Sequence, residues 1–183
     1  GGKLDFTQAL RARVSLLAGA PAGLIEQARE LITLTPGART LCRTLNRLGY
    51  QIVLVSGGFT NVIEPIAREL GVSAVRANTL EVIDDVITGN VLDPIMDREG
   101  KRQALMHFAQ EFNIPNRRTI AIGDGANDID MISQAGLGVA FNAKNVLRER
   151  ADTTVNVPYL DSVLYLLGIT RDEILRSDRD GKI

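Results

Sequence analysis

Residues 119–132 read TIAIGDGANDIDMI. Ile120 and Ile122 lie in a short apolar run that stops at Gly123, and Asp124, Asn127 and Asp128 follow at once. Such a run, ended by a Gly-Asp turn, predicts a buried strand over 118–122 and a helix over about 126–135. Two carboxylates at the end of a buried strand repel each other unless a positive charge lies beside them. A hard divalent cation with oxygen ligands, Mg²⁺ before others, meets that need. A helix-capping Asp124 and a first-turn Asp128 favoured by the helix dipole form the simpler alternative. The spacing alone leaves both open.

On either side of this stretch, strand-like runs alternate with helical stripes. QIVLVS (51–56) is a continuous apolar run, predicting a strand buried on both faces. A helix over about 60–70 follows and ends at Gly71, with Pro65 standing against either its start or its straightness. SAVRAN (73–78) predicts a strand, and LEVIDDVITGNVL (80–92) a small antiparallel excursion. A helix is expected over 100–112, strands at LGVAF (137–141) and TTVNV (153–157), and helices at NVLRERA (145–151) and LDSVLYLLG (160–168). This alternation predicts parallel βαβ units, hence an α/β fold with a doubly wound, Rossmann-like sheet. Such sheets bind ligands at the carboxyl ends of their strands.

The first 35 residues differ. FTQALRARVSLLAG spaces Phe6, Leu10, Val14 and Leu17 as a helical stripe stopped at Gly19, and AGLIEQARELI carries a similar one. TPGARTLCRTLNRLGY then opens at Pro36-Gly37 and closes at Gly49. The expected division is a helical appendage over 1–35, a core over 36–168 and a C-terminal tail over 169–183, whose polar sequence predicts fraying.

Composition is that of a globular chain, 45% hydrophobic and 23% charged. The net charge of −1 argues against nucleic-acid and membrane-surface partners. No apolar stretch approaches the roughly 20 residues that span a bilayer. The single Cys42 permits no intrachain disulfide and suits a reducing cytosol.

Two further motifs fall at element junctions. In VLVSGGF (53–59), Ser56 and Gly57 follow a predicted strand, where a hydroxyl and an unhindered backbone N–H can hold phosphate oxygens or merely turn the chain. In DREGKRQAL (97–105), Lys101 falls near a helix N-terminus, where the dipole disfavours a cation. It is either solvated there or held by an anion. His107 and Cys42 lie among helical neighbours and read as structural.

In order, Ser56, Lys101 and GDGAND (123–128) resemble the second, third and fourth motifs of the haloacid-dehalogenase superfamily. VSGGF and GDGANDIDM are similar, more narrowly, to its members that hydrolyse O-phosphoserine in serine biosynthesis. GKLDFTQALRARVSLL, TPGARTL, RLGY, GLGVAFNAK and YLDSVLYLLG extend the likeness over most of the chain. The resemblance implies a superfamily core with a partial helical cap and a cytoplasmic, Mg²⁺-dependent phosphatase acting on a small molecule, phosphoserine. A homodimer is compatible with it. It implies that Asp124 ligates Mg²⁺, that Asp128 holds metal-bound water or Lys101, and that Ser56, Gly57 and Lys101 grip the phosphoryl group. It further implies that Asn127 contacts the substrate, that Arg13 pairs with its carboxylate and that Phe6 lines the cap pocket.

One departure stands out. The superfamily works through an aspartyl-phosphate, formed by a DxDx[TV] motif on the first core strand, and the sequence contains no such motif. The resemblance therefore implies that the nucleophile, its acid–base partner, the first cap helix and a cap glutamate lie upstream. It also implies that the strands ending at Ser56 and Gly123 are left with open edges and that the 183 residues alone fold poorly. A non-catalytic phosphate- or phosphoserine-binding fragment, and a phosphatase for another small carboxylate-bearing ester such as phosphohomoserine, are the alternatives.

Overall fold

Left-handed turns punctuate the chain where the sequence places glycine. Gly37 (φ 83°) precedes the third helix and Gly49 (φ 79°) follows it, a conformation glycine adopts without a Cβ clash. In the computed structural model, which describes residues 6–180 and side chains through Ser177, the elements follow in the order α1 (Phe6–Ser15), α2 (Gly23–Glu30), α3 (Ala38–Arg47), β1 (Val53–Phe59), α4 (Thr60–Glu69), β2 (Ala74–Ile83) and β3 (Val86–Leu92). Then come α5 (Arg98–Glu111), β4 (Ile120–Gly123), α6 (Ile129–Gln134), β5 (Leu137–Phe141), α7 (Asn145–Arg148), β6 (Thr153–Val155), α8 (Val163–Leu166) and α9 (Arg171–Asp180).

The strands form two sheets of three. One has the order β1-β2-β3, β1 parallel to β2 and β2 antiparallel to β3; the other is β4-β5-β6, all parallel. Helices join the parallel strands, as the alternating pattern predicts. β1 and β4 are outer strands of their sheets and border one cavity of about 730 Å³. Val53 and Val55 line it from β1, Ile120 and Ile122 from β4, and Leu105 and Phe108 from α5.

That cavity corrects the expectation that β1 is buried on both faces. Every residue of β1 is half-buried, because the strand has a neighbour on one side and the cavity on the other. β5, flanked on both sides, buries Val139 and Ala140 completely. Two apolar runs therefore end with different burial according to their neighbours.

The excursion at 80–92 is a hairpin of β2 and β3. Asp84 (φ 49°) and Asp85 (φ 61°) form its two-residue turn, both left-handed, which suits the twist of the strands. The appended helices rest on this hairpin. Val14 of α1, Leu80 and Val91 form a small core, with Leu10, Ile25 and Phe59 against it.

Other expectations shift in detail. Pro65 lies inside α4, which continues through it. The helix expected from 126 begins with a 3₁₀ turn at Ala126–Asp128, and the closing helix divides into a 3₁₀ turn, Leu160–Ser162, and α8. The fraying tail is a correction: α9 is a helix with Ile174 and Ser177 buried, and Ile174 joins Leu41, Val139 and Leu164 in the main core. A polar composition hid one inward stripe. Residues 181–183 lie outside the described residues. Among the described residues no helix is long and apolar enough to cross a membrane.

Ile174→Ala is expected to cost about 2–4 kcal/mol by removing buried methylenes from a packed core. Leu175→Ala, on the exposed side of the same helix, should cost under about 1 kcal/mol. Urea unfolding of both variants checks this, and equal effects would mean that α9 does not dock.

Candidate active site

At the carboxyl end of β1 the ladder to β2 jumps from Val55↔Arg76 to Phe59↔Asn78, so Ser56, Gly57 and Gly58 bulge from the sheet. The Gly58 N–H donates to Ser56 Oγ at 3.0 Å, leaving the hydroxyl proton available to an oxygen ligand. Phe6 and Asn127 meet at Gly57. A Cβ there would lie 3.7 Å from Phe6 Cζ and 4.0 Å from Asn127 Nδ2, so glycine keeps the centre of the group open.

The end of β4 is more constrained. Asp128 Oδ2 accepts the N–H groups of Asp124 (3.2 Å) and Gly125 (3.0 Å), folding the turn back on itself. A Cβ on Gly123 would lie 2.6 Å from Asp128 Cβ, so glycine is required by this close approach. Asp128 Oδ1 accepts from Lys101 Nζ at 2.7 Å, with the two side chains 6% and 7% exposed. Lys101 is thus the anion-held lysine of the two sequence alternatives.

Helix α5 carries Lys101 in its first turns, and Asp97 starts the helix by accepting the Gly100 N–H at 2.7 Å. Two residues after Asp128, in the first turn of α6, Asp130 forms a two-pronged pair with Arg98. That guanidinium, chiefly by hydrogen bonding, holds the Asp130 carboxyl below its ordinary range. Two salt bridges thus join α5 to the β4–α6 junction, one buried and one at the surface.

The Asp124 carboxylate is exposed and has no hydrogen-bond or ion-pair partner among the described residues. No group of three or more His, Cys, Asp or Glu side chains able to hold a metal occurs among the described residues. One free carboxylate still suits Mg²⁺, which keeps several waters and uses one or two carboxylates beside phosphate oxygens. Arg13 is exposed, seven residues from Phe6 and so on the same face of α1, but no contact joins it to the others. Its neighbour Arg11 is engaged instead, donating to Val91 O (3.1 Å) and Asp93 (2.7 Å). His107 pairs with Glu111 at the surface (3.2 Å), and buried Cys42 lines the cavity, both away from these residues.

Sequence reasoning missed Asn78. It is fully buried, donates through Nδ2 to Gly57 O at 2.8 Å, and accepts the Met96 N–H at 2.7 Å. Its strand also carries Arg76, Thr79 and Glu81, so one more polar residue gave no signal.

The sequence matches the profile of haloacid dehalogenase-like hydrolases over residues 1–133, a span containing every residue of this group. The chain belongs to that family. It is 57% identical over 177 residues to a phosphoserine phosphatase of Streptomyces coelicolor, and 54% identical over 177 residues to one of Mycobacterium tuberculosis. Each alignment covers 97% of this chain and 43% of the relative, so the chain spans less than half of either protein's length. The fold is similar to the unliganded crystal structure of a probable phosphoserine phosphatase from Vibrio cholerae, with a TM-score of 0.87 and 36% identity, over 97% of this chain and 54% of that one.

Lys101→Met should destabilise the protein by about 3–5 kcal/mol, because it leaves the buried Asp128 carboxylate uncompensated. Lys101→Met/Asp128→Asn, which removes the charge but keeps an oxygen for the Asp124 and Gly125 N–H groups, should recover much of that loss. Chemical denaturation of the three proteins checks it, and additive losses would show that the two charges are not coupled.

Proposed function

We propose that these residues form the phosphate- and metal-holding part of a Mg²⁺-dependent phosphatase that hydrolyses O-phosphoserine in the cytoplasm. The observation that carries this reading is that the ends of β1 and β4, the two strands bordering one cavity, carry a glycine-rich bulge (Ser56–Gly58), a buried cation (Lys101, paired with Asp128) and a free carboxylate (Asp124). The high identity to phosphoserine phosphatases supports the substrate.

In this reading Ser56 Oγ–H, the Gly57 N–H and Lys101 Nζ hold the phosphoryl oxygens and stabilise charge as it builds in the transition state. Asp128 fixes Lys101 and shapes the turn that presents Asp124. Asp124 would hold Mg²⁺, which supplies neutralisation of phosphoryl charge when bound. Asn127 touches the substrate near Gly57, and α1 serves as cap, with Phe6 over the turn and Arg13 pairing with the substrate carboxylate.

The attacking group is a carboxylate on a strand seated in the cavity between β1 and β4, where it would pair with both open edges. Its oxygen bonds to phosphorus as the phosphorus–serine oxygen bond breaks, and a neighbouring acid protonates the departing serine oxygen. Water then attacks the acyl phosphate, releasing phosphate and regenerating the carboxylate. The greater length of the relatives supports an origin for that strand in a longer form of this polypeptide.

The protein purified from its own cells should release phosphate from O-phosphoserine, lose that activity on chelation, and regain it with Mg²⁺. Asp124→Asn should lower the rate by about 100-fold or more. Phosphate binding without release would instead favour a binding module. Arg13→Lys should raise KM for phosphoserine about tenfold while leaving phosphoethanolamine, which lacks the carboxylate, unchanged. Equal effects on both substrates would remove Arg13 from carboxylate recognition.

A further inference from the structure

The bulge at Ser56–Gly58 leaves a carbonyl without a ladder partner, and a buried carbonyl needs a donor. Gly57 O receives it from Asn78 Nδ2 at 2.8 Å. The other end of the same amide, Oδ1, accepts the Met96 N–H at 2.7 Å. Met96 is buried and directly precedes Asp97, the cap of the helix that carries Lys101. Its own carbonyl lies against the turn, 3.8 Å from where a Gly57 Cβ would stand. One fully buried side chain therefore ties the β1 turn to the start of α5.

We propose that Asn78 is a positioning residue, which sets the Ser56–Gly58 turn in register with Lys101 so that their donors converge on one phosphoryl group. The proposal rests on reading that turn as an anion grip. An amide is needed because the two ends must act oppositely, one donating and one accepting. An ionised aspartate would turn an oxygen on Gly57 O and break the first bond. A protonated aspartic acid would restore both, its O–H donating to Gly57 and its carbonyl accepting from Met96. Burial favours the protonated form and places that switch above the ordinary carboxyl range.

The test is Asn78→Asp in the protein purified from its own cells, reading inorganic phosphate affinity and phosphoserine kcat/KM as ratios to the parent at each pH. Asp97, Asp124, Asp128 and Lys101 are common to both proteins, so the ratio isolates the new carboxyl. About a 10- to 100-fold loss is expected near pH 8, with most of it recovered near about pH 5. Asn78→Leu should stay low throughout. A loss independent of pH, or none at all, overturns the proposal. Two readings need neither phosphate nor turnover in the variant. The Gly57 and Met96 amide resonances of Asn78→Asp should move with the same midpoint. In the unmodified protein, the Asn78 side-chain amide signal should shift with those of Gly57 and Lys101 as phosphate is added. Resonances of Gly57 that ignore the new carboxyl overturn the proposal, even where phosphate binding itself fails and the phosphatase reading falls with it.

Discussion

The buried pair of Lys101 and Asp128 organises this molecule. A lysine in the opening turns of a helix opposes the helix dipole, and a buried carboxylate opposes its own desolvation. Each makes the other tolerable at 2.7 Å. The pair also does geometric work, since the second oxygen of Asp128 gathers the Asp124 and Gly125 N–H groups and so fixes the turn after β4. Gly123 is required because Asp128 comes so close. A charge balance thus dictates a backbone shape, and that shape presents Asp124 outward.

The second constraint is the division into two sheets. β1 and β4 end at the two halves of the site, yet they do not pair with each other. Their facing edges and the apolar cavity between them have the character of a place for one more parallel strand. A carboxylate at the end of such a strand would lie between Ser56 and Asp124. In the proposed reading, the residues assigned to phosphate and metal can therefore stand here while the attacking carboxylate comes from such a strand.

Much of this was legible in the sequence, for identifiable reasons. LGVAF predicts β5 to the residue because a run buried on both sides is apolar throughout. GDGAND marks the junction of β4 with the following helix, because an apolar run that ends in Gly-Asp has to turn there, while its spacing leaves the use of the carboxylates open. Lys101 could not be assigned, since its partner is 27 residues away and only the fold joins them. The half-burial of β1 depends on a missing neighbour, which no local pattern encodes. α9 was misread because its inward residues, Ile174 and Ser177, are spaced by three among charges, and one of them is polar. Asn78 was invisible for the same reason as Lys101: its bonds reach Gly57, 21 residues away, and Met96, 18 residues away.

The account turns on a carboxylate attacking phosphorus beside this pair. The most direct measurement is mass spectrometry of the protein purified from its own cells, quenched in acid during turnover of phosphoserine with Mg²⁺. The account predicts one hydroxylamine-labile phosphoryl group, carried by an aspartate on a segment that seats between β1 and β4. Turnover with no phosphorylated protein, or with the phosphoryl group on Ser56, would contradict it.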